Sequence, residues 1–517
     1  MRRLVSHITF QTRWFFALAL LVLCLAPTFI SYGPYKFHWD DSVYLHQAIN
    51  LSRAFWSGAH GINHLHDIRR AMYGYGERPP AMSLLGLPWG PLTSWDAVGD
   101  CFFTLACSIA LLASTCLFML TRIGAAPLPI ALASVCIGGA LGPWMGSQVN
   151  QNATSFMADT LFAWISLAAL LLIPYEAKTG EHSTPHTLIR GILSGIILSA
   201  GAMTKISFLY LDVLILPCLL LIRLRRHGLR NSATAFAGFL IGSAPSLFYL
   251  AKYGRSSLQY ARASSFGGVS SLYGNSLSAF LQRTLNGSPT LWLFIFFALS
   301  ALALTLFKRR NQLPSSASVA ILIAIGFELV VLSSPNRDIR FSFPLIISLP
   351  FLFAILLSPA EKRLPRRGSL FVAAIAFAAL CLAAWPARHR AKRMDSLGRA
   401  DAVLSLAFQC GSNNILMATN GATLNDSLLQ VALDTSDHPP TIHIGQLNWS
   451  ALHAVPIAED YRAIRDADMV VLQEPVVSAT FFNTRANKYR QYINEQKDYT
   501  QHALWSDVTG YCRNSAR

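Results

Sequence analysis

The chain has 517 residues, 53% of them hydrophobic and only 13% charged, with a formal net charge of +16. Soluble domains average about a quarter charged residues, so a water-soluble globular enzyme is excluded. Nucleic-acid binding is excluded too, because the Lys and Arg residues gather in short loops between apolar runs, where they set membrane topology.

Runs of about 17–25 apolar residues match a bilayer core, since a helix satisfies its own backbone polar groups there. In chain order they fall at 14–31, 100–120, 125–145, 154–174, 188–204, 206–222, 232–250, 289–307, 315–333, 341–358 and 369–386. They predict an all-α polytopic membrane protein with about eleven transmembrane helices. The first run follows Arg2 and Arg3, contains Pro27 and lacks an Ala-x-Ala cleavage pattern, so it reads as a retained helix. The tightest stretch is 188–222, where Thr204-Lys205 interrupts a run barely long enough for two crossings. Two crossings are required, because they put Arg223-Leu224-Arg225-Arg226, Lys308-Arg309-Arg310 and Lys362-Arg363-Leu364-Pro365-Arg366-Arg367 all in the cytoplasm, with the amino terminus. The loops 32–99 and 252–288 and the tail after 386 then share the extracytoplasmic side.

That tail changes character and predicts a second domain, 388–517, beyond a transmembrane domain at 1–387. Strand-like runs at 414–419, 441–445 and 469–473 and helix-like runs at 424–433, 458–467 and 484–496 suggest a small soluble α/β layer. Cys410 and Cys512 bracket it and read either as a disulfide or as two buried thiols. Cys24, Cys101, Cys107, Cys116, Cys136, Cys218 and Cys381 lie in or beside apolar runs without CxxC spacing, as small core residues do.

The sharpest chemical feature follows the first run: His38-Trp39-Asp40-Asp41-Ser42-Val43-Tyr44-Leu45-His46-Gln47-Ala48. Taken alone, its two acids also fit a helix N-cap and first turn. The pattern Asp-acid-x-x-Tyr-x-x-x-Ala after the first membrane helix resembles the first extracytoplasmic loop of the GT-C glycosyltransferases, which use polyprenyl-phosphate sugars. They include the protein mannosyltransferases and the aminoarabinose transferases of lipid A. The resemblance implies that Asp40 is the catalytic base and Asp41 its acidic neighbour.

Further matches come in the same order. Arg78-Pro79-Pro80 is similar to the family's Lys-Pro-Pro, whose basic residue faces the carrier phosphate. Arg keeps the charge and adds a bidentate fork, although two prolines also simply make a turn. Asp159, at the outer mouth of the fourth span, matches a second acidic position, or caps the helix there. Leu198-Ser199-Ala200-Gly201-Ala202-Met203-Thr204-Lys205-Ile206 looks like the family's small-residue helix ending in Leu-Thr-Lys, with Lys205 toward an outer aqueous cavity or snorkelling to the interface. In Asn336-Arg337-Asp338-Ile339-Arg340-Phe341-Ser342-Phe343-Pro344, which resembles a late Arg-Tyr-x-x-Pro element, Arg340 takes the arginine and Phe341 replaces the tyrosine, which removes that hydroxyl. An Arg-Asp pair capping the next helix is the alternative. The resemblance spans roughly residues 1–390.

The implied activity is transfer of a hexosyl or pentosyl unit from a polyprenyl-phosphate donor to a glycan, lipid or protein acceptor, at the outer face of a bacterial inner membrane. Asp40 would deprotonate the acceptor, Asp159 would orient Asp40's partner or the acceptor, and Arg78, Lys205 and Arg340 would offset charge on the departing phosphate, with inversion. No cofactor is expected as a requirement, although a divalent metal is compatible with the resemblance. His60, His64 and His66 invite a metal reading, but only Asp67 stands near to complete a set, so no metal site is assigned. The sequons at Asn152, Asn286, Asn425 and Asn448 arise easily by chance. A transporter or flippase of polyprenyl-linked glycans is the main rival, since Asp159, Lys205 and Asp212 also suit a substrate path. It lacks the internal repeat expected of such folds. A structural scaffold explains the topology but not the ordered motifs.

Overall fold

A computed structural model describes residues 39–56, 61–73, 78–88, 97–126, 158–178, 184–266, 276–287, 315–334, 339–361 and 397–514, the last apart from 419–423, 437–441, 448–455 and 474–479; scattered positions in 129–137, Phe156 and Arg337 are described as well. The expected spans 14–31, 289–307 and 369–386, and most of 125–145, lie outside the described residues.

The helical part comprises α1 (Trp39–Trp56), α2 (Ile62–Tyr73), α3 (Ala81–Leu84), α4 (Ala97–Ile123), α5 (Ala158–Lys178), α6 (Thr184–Thr204), α7 (Leu209–Phe266), α8 (Leu277–Gly287), α9 (Ser316–Ser333) and α10 (Phe343–Glu361). Short 3-10 turns, Ile206–Phe208 and Ile339–Ser342, precede α7 and α10. Among the described residues, four helical stretches are long and apolar enough to cross a membrane: Ala158–Lys178, Pro185–Thr204, Ile206–Arg262 and Ser316–Ser333. α5 is apolar on every side and buried on every side, so it is the central helix. Its Trp164 lies against Phe351 of α10.

The doubtful stretch 188–222 does make two helices. Lys205 is extended between α6 and the turn Ile206–Phe208, and Arg223 of α7 reaches back to Ser194 in the middle of α6. Gly228, with φ 71°, breaks α7 into two antiparallel halves. The second half runs parallel to α6, with Gly191 and Gly195 facing Gly238 and Gly242. A Cβ at Gly191 would lie 2.1 Å from the Ala235 oxygen and one at Gly242 2.2 Å from the Ile192 oxygen, so only glycine permits this approach.

Side-chain contacts sort the bundle into two ends. At one, Glu176 accepts from Arg190 at 2.8 Å and Arg223 at 2.7 Å, Lys178 reaches the Ile123 carbonyl, and the Ser358 hydroxyl accepts from the Ala126 amide. At the other lie the amino end of α5, the carboxyl end of α6 and the start of α10. Tyr73 of α2 stacks 5.0 Å from Tyr253 of α7, which brings the α1–α3 segment to this second end.

The carboxy-terminal part contains α11 (Gly398–Gln409), β1 (Asn414–Met417), α12 (Asp426–Asp434), β2 (His443–Gln446), α13 (Ile457–Asp466), β3 (Met469–Gln473), α14 (Thr480–Gln496), β4 (Tyr499–Trp505) and β5 (Val508–Arg513). The sheet order is β2-β1-β3-β5-β4, parallel across the first three strands and antiparallel beyond. Side chains alternate: Ile415, Met417, Met469 and Val471 face the core shared with α11 and α12, whereas Leu416, Val470 and Leu472 face Ile464, Tyr489 and Ile493 of α13 and α14. Cys410 and Cys512 are bonded and tie the end of α11 to β5.

This part docks on α1 through α12. Leu424, Leu428 and Leu429 join Tyr44, Leu45 and Ala48 in one apolar core. Ser42 donates to the Asn425 side chain at 3.1 Å, and His46 meets Asp434 at 2.7 Å. Asn425 also caps α12 by accepting from the Leu428 amide. It is 1% exposed, so that sequon is closed to glycosylation.

Asp426, in the first turn of α12, has its carboxyl raised by burial against lowering by the Ser427 and Asp426 amides and His46. A raised acid favours folding below the unfolded value, and that contribution is lost as pH rises through the folded value. Asp426→Asn is therefore expected to raise the thermal midpoint at neutral pH and to flatten its decline just above the ordinary carboxylate range. Unfolding followed from pH 4 to pH 8 checks it.

Candidate functional site

Asp40 and Asp41 occupy the first turn of α1; their side chains lie outside the described residues. The rest of the α1 motif has clear local reasons. Arg78 stands 5.2 Å from the centre of the Tyr44 ring, a cation–π contact that links two of the expected motifs. Gly86 has to be glycine because the chain after α3 runs directly over the Ala48 backbone: a Cβ at Gly86 would lie 2.0 Å from the Ala48 oxygen. Ser83 donates to Gln47 at 3.3 Å, both buried. Pro79 and Pro80 thus start a segment clamped to α1.

The second group forms where α5, α6 and α10 meet. The extended backbone at Lys205 turns its side chain to Asp159, and the two make an ion pair. The ammonium also stands 4.5 Å from the Phe341 ring centre and 5.8 Å from that of Phe162. Arg340 lies 5.0 Å from the same Phe341 ring, so two cations share one aromatic face-holder. The structure therefore brings Asp159, Lys205 and Arg340 together, and holds Arg78 with Tyr44 on α1. Lys205, expected to face an outer aqueous cavity or to snorkel to the interface, is paired with a carboxylate only 3% exposed.

The pairing changes what its removal does. Lys205→Met leaves Asp159 buried without its partner, which costs about 3–5 kcal/mol, and Asp159→Asn added to it should restore most of that loss. Thermal unfolding of the single and double variants in detergent checks this. Equal midpoints for the wild type and Lys205→Met would contradict it.

Sequence reasoning missed Glu328. It is buried in α9, and one of its oxygens accepts from Ser342 beside Arg340. Its signal was there, since a lone acid in the apolar run 315–333 is as conspicuous as Asp159. Of the histidines, His60 lies outside the described residues, while His66 pairs loosely with Asp67, both exposed. Among the described residues the one cluster with metal-ligand spacing is Cys410, His502 and Cys512, whose thiols are consumed by the disulfide.

The architecture is an apolar helix bundle, with four described stretches long and apolar enough to cross a membrane, capped at one end by a loop helix and a small sheet; it is similar to the fold of GT-C proteins. Two solved proteins share it over nearly the whole chain. ArnT from Cupriavidus metallidurans, bound to undecaprenyl phosphate, matches with a TM-score of 0.53 at 14% identity, covering 96% of this chain and 98% of that one; its apo state gives 0.58 at 13% identity. The Archaeoglobus fulgidus oligosaccharyltransferase in its apo form matches with a TM-score of 0.56 at 12% identity, covering 97% of this chain and 74% of that one. That protein has also been solved with an inhibitory peptide and a dolichol-phosphate. No protein-family model and no curated protein sequence matches the chain.

Proposed function

We propose that the protein is a glycosyltransferase that moves a sugar from a polyprenyl-phosphate carrier to an extracytoplasmic acceptor. The observation that carries this reading is the gathering of Asp159, Lys205 and Arg340 around Phe341 at the end of the bundle that holds α1. Two cations brought to one place, Lys205 and Arg340, suit a lipid phosphate. Proteins of the same fold bind such phosphates: ArnT undecaprenyl phosphate, the archaeal enzyme a dolichol-phosphate.

In this mechanism Asp40 takes the proton from the acceptor, whose oxygen or nitrogen bonds to the anomeric carbon as the bond from that carbon to the phosphate oxygen breaks. Arg78, Lys205 and Arg340 offset the charge left on the carrier. A single displacement inverts the anomeric centre. Asp41 supports Asp40, and Asp159 holds Lys205 toward the phosphate. The amino terminus and the basic loops lie in the cytoplasm, so the carboxy-terminal domain from residue 388 faces outward. Membranes containing the protein should release polyprenyl phosphate from a polyprenyl-phosphate sugar when acceptor is present. Translocation of the donor without release would instead identify a flippase.

A further inference from the structure

Glu328 is the sole titratable residue of α9 and is 8% exposed. An acid at such depth is costly unless something depends on it. Its Oε1 accepts from the Ser342 hydroxyl, and among the described residues its buried Oε2 has no hydrogen-bond partner. Ser342 is the last residue of the turn Ile339–Ser342, which carries both Arg340 and Phe341. The chain just before that turn is tied to α9 as well, where Arg337 Nε donates to the Leu332 carbonyl at 2.8 Å. The turn is thus fastened on both sides to α9, and on it stands the ring that lies 4.5 Å from the Lys205 ammonium and 5.0 Å from Arg340.

We propose that Glu328 is a positioning residue: through Ser342 it fixes the Arg340–Phe341 turn against Lys205 and thereby sets how tightly this end of the bundle holds a lipid phosphate. The inference rests on the reading of the previous section. A buried acid that only packed helices would, when removed, lower abundance and turnover together. A positioning role instead changes donor affinity, and does so only where the hydrogen bond between Ser342 and Glu328 is lost. Glu328→Gln keeps an oxygen there, Glu328→Leu does not, and Ser342→Ala removes the donor at little cost in volume.

The test uses the full chain in lipid nanodiscs, with undecaprenyl phosphate as the binding probe and a donor titration alongside. Glu328→Leu and Ser342→Ala should each weaken undecaprenyl phosphate binding and raise the half-saturating donor concentration about tenfold, with kcat nearly unchanged. Glu328→Gln should stay within about twofold of the wild type, and the Leu–Ala double variant should be no worse than Glu328→Leu, since one contact is lost in each. Unchanged binding in both single variants, beside a wild type that binds, overturns the inference and leaves the proposed activity standing. A wild type that neither binds undecaprenyl phosphate nor releases it from a donor overturns both. If Glu328→Leu fails to accumulate, Ser342→Ala and Glu328→Gln decide between them.

Discussion

Replacing Asp40 by Asn is expected to stop sugar transfer while the protein accumulates normally. A general base contributes about 10²–10⁴ to rate, and an amide cannot take the acceptor's proton at neutral pH. Asp40 lies in the first turn of α1, where an amide side chain still accepts backbone hydrogen bonds and loss of a cap costs only about 1 kcal/mol. Folding and catalysis therefore separate cleanly at this position. Transfer measured with saturating donor and acceptor, beside the amount of folded protein, gives the answer. Parallel loss of both would assign Asp40 to helix capping. Asp41→Asn should reduce the rate less.

The second large effect concerns Arg78 and Arg340, which lie 262 positions apart by their numbers. Each stands against an aromatic ring that orients it, Tyr44 and Phe341 respectively. A charge-assisted contact to phosphate is worth about 1.5–3 kcal/mol, so Arg78→Ala and Arg340→Ala should raise the donor requirement about tenfold or more. Arg78→Lys should keep part of the function, because the point charge survives while the bidentate fork is lost. Donor titrations decide it, and unchanged half-saturation in both alanine variants would remove these arginines from the phosphate site. Lys205 stands apart in such a series, since its loss also strips Asp159 of a buried partner.

How much of this was legible in the sequence follows from the range of the interactions. Local periodicity placed α5, the two helices meeting at Lys205, and the three parallel strands. It missed the β4–β5 hairpin, because its turn at Ser506-Asp507 lacks the Gly or Asn that marks tight hairpins. It missed α11 for want of a side-chain N-cap signal, since Leu397 occupies that position. The motifs gave the cations and acids one by one, but not which of them meet. The pairing of Asp159 with Lys205 and the seat of α12 on α1 join residues 46 and 383 positions apart, and no single-sequence pattern encodes such contacts. Glu328 stood out in its apolar run as Asp159 did, but its link to the Arg340 turn was not legible, because its partner Ser342 lies on the next element.

The most direct measurement is an experimental structure of the full chain in lipid nanodiscs with bound undecaprenyl phosphate. The account predicts the phosphate at the end of the bundle that holds α1, within hydrogen-bond reach of Lys205 and Arg340 and facing Arg78. A phosphate held at the opposite end, among Arg190, Arg223 and Glu176, or no phosphate at all under saturating carrier, would contradict it.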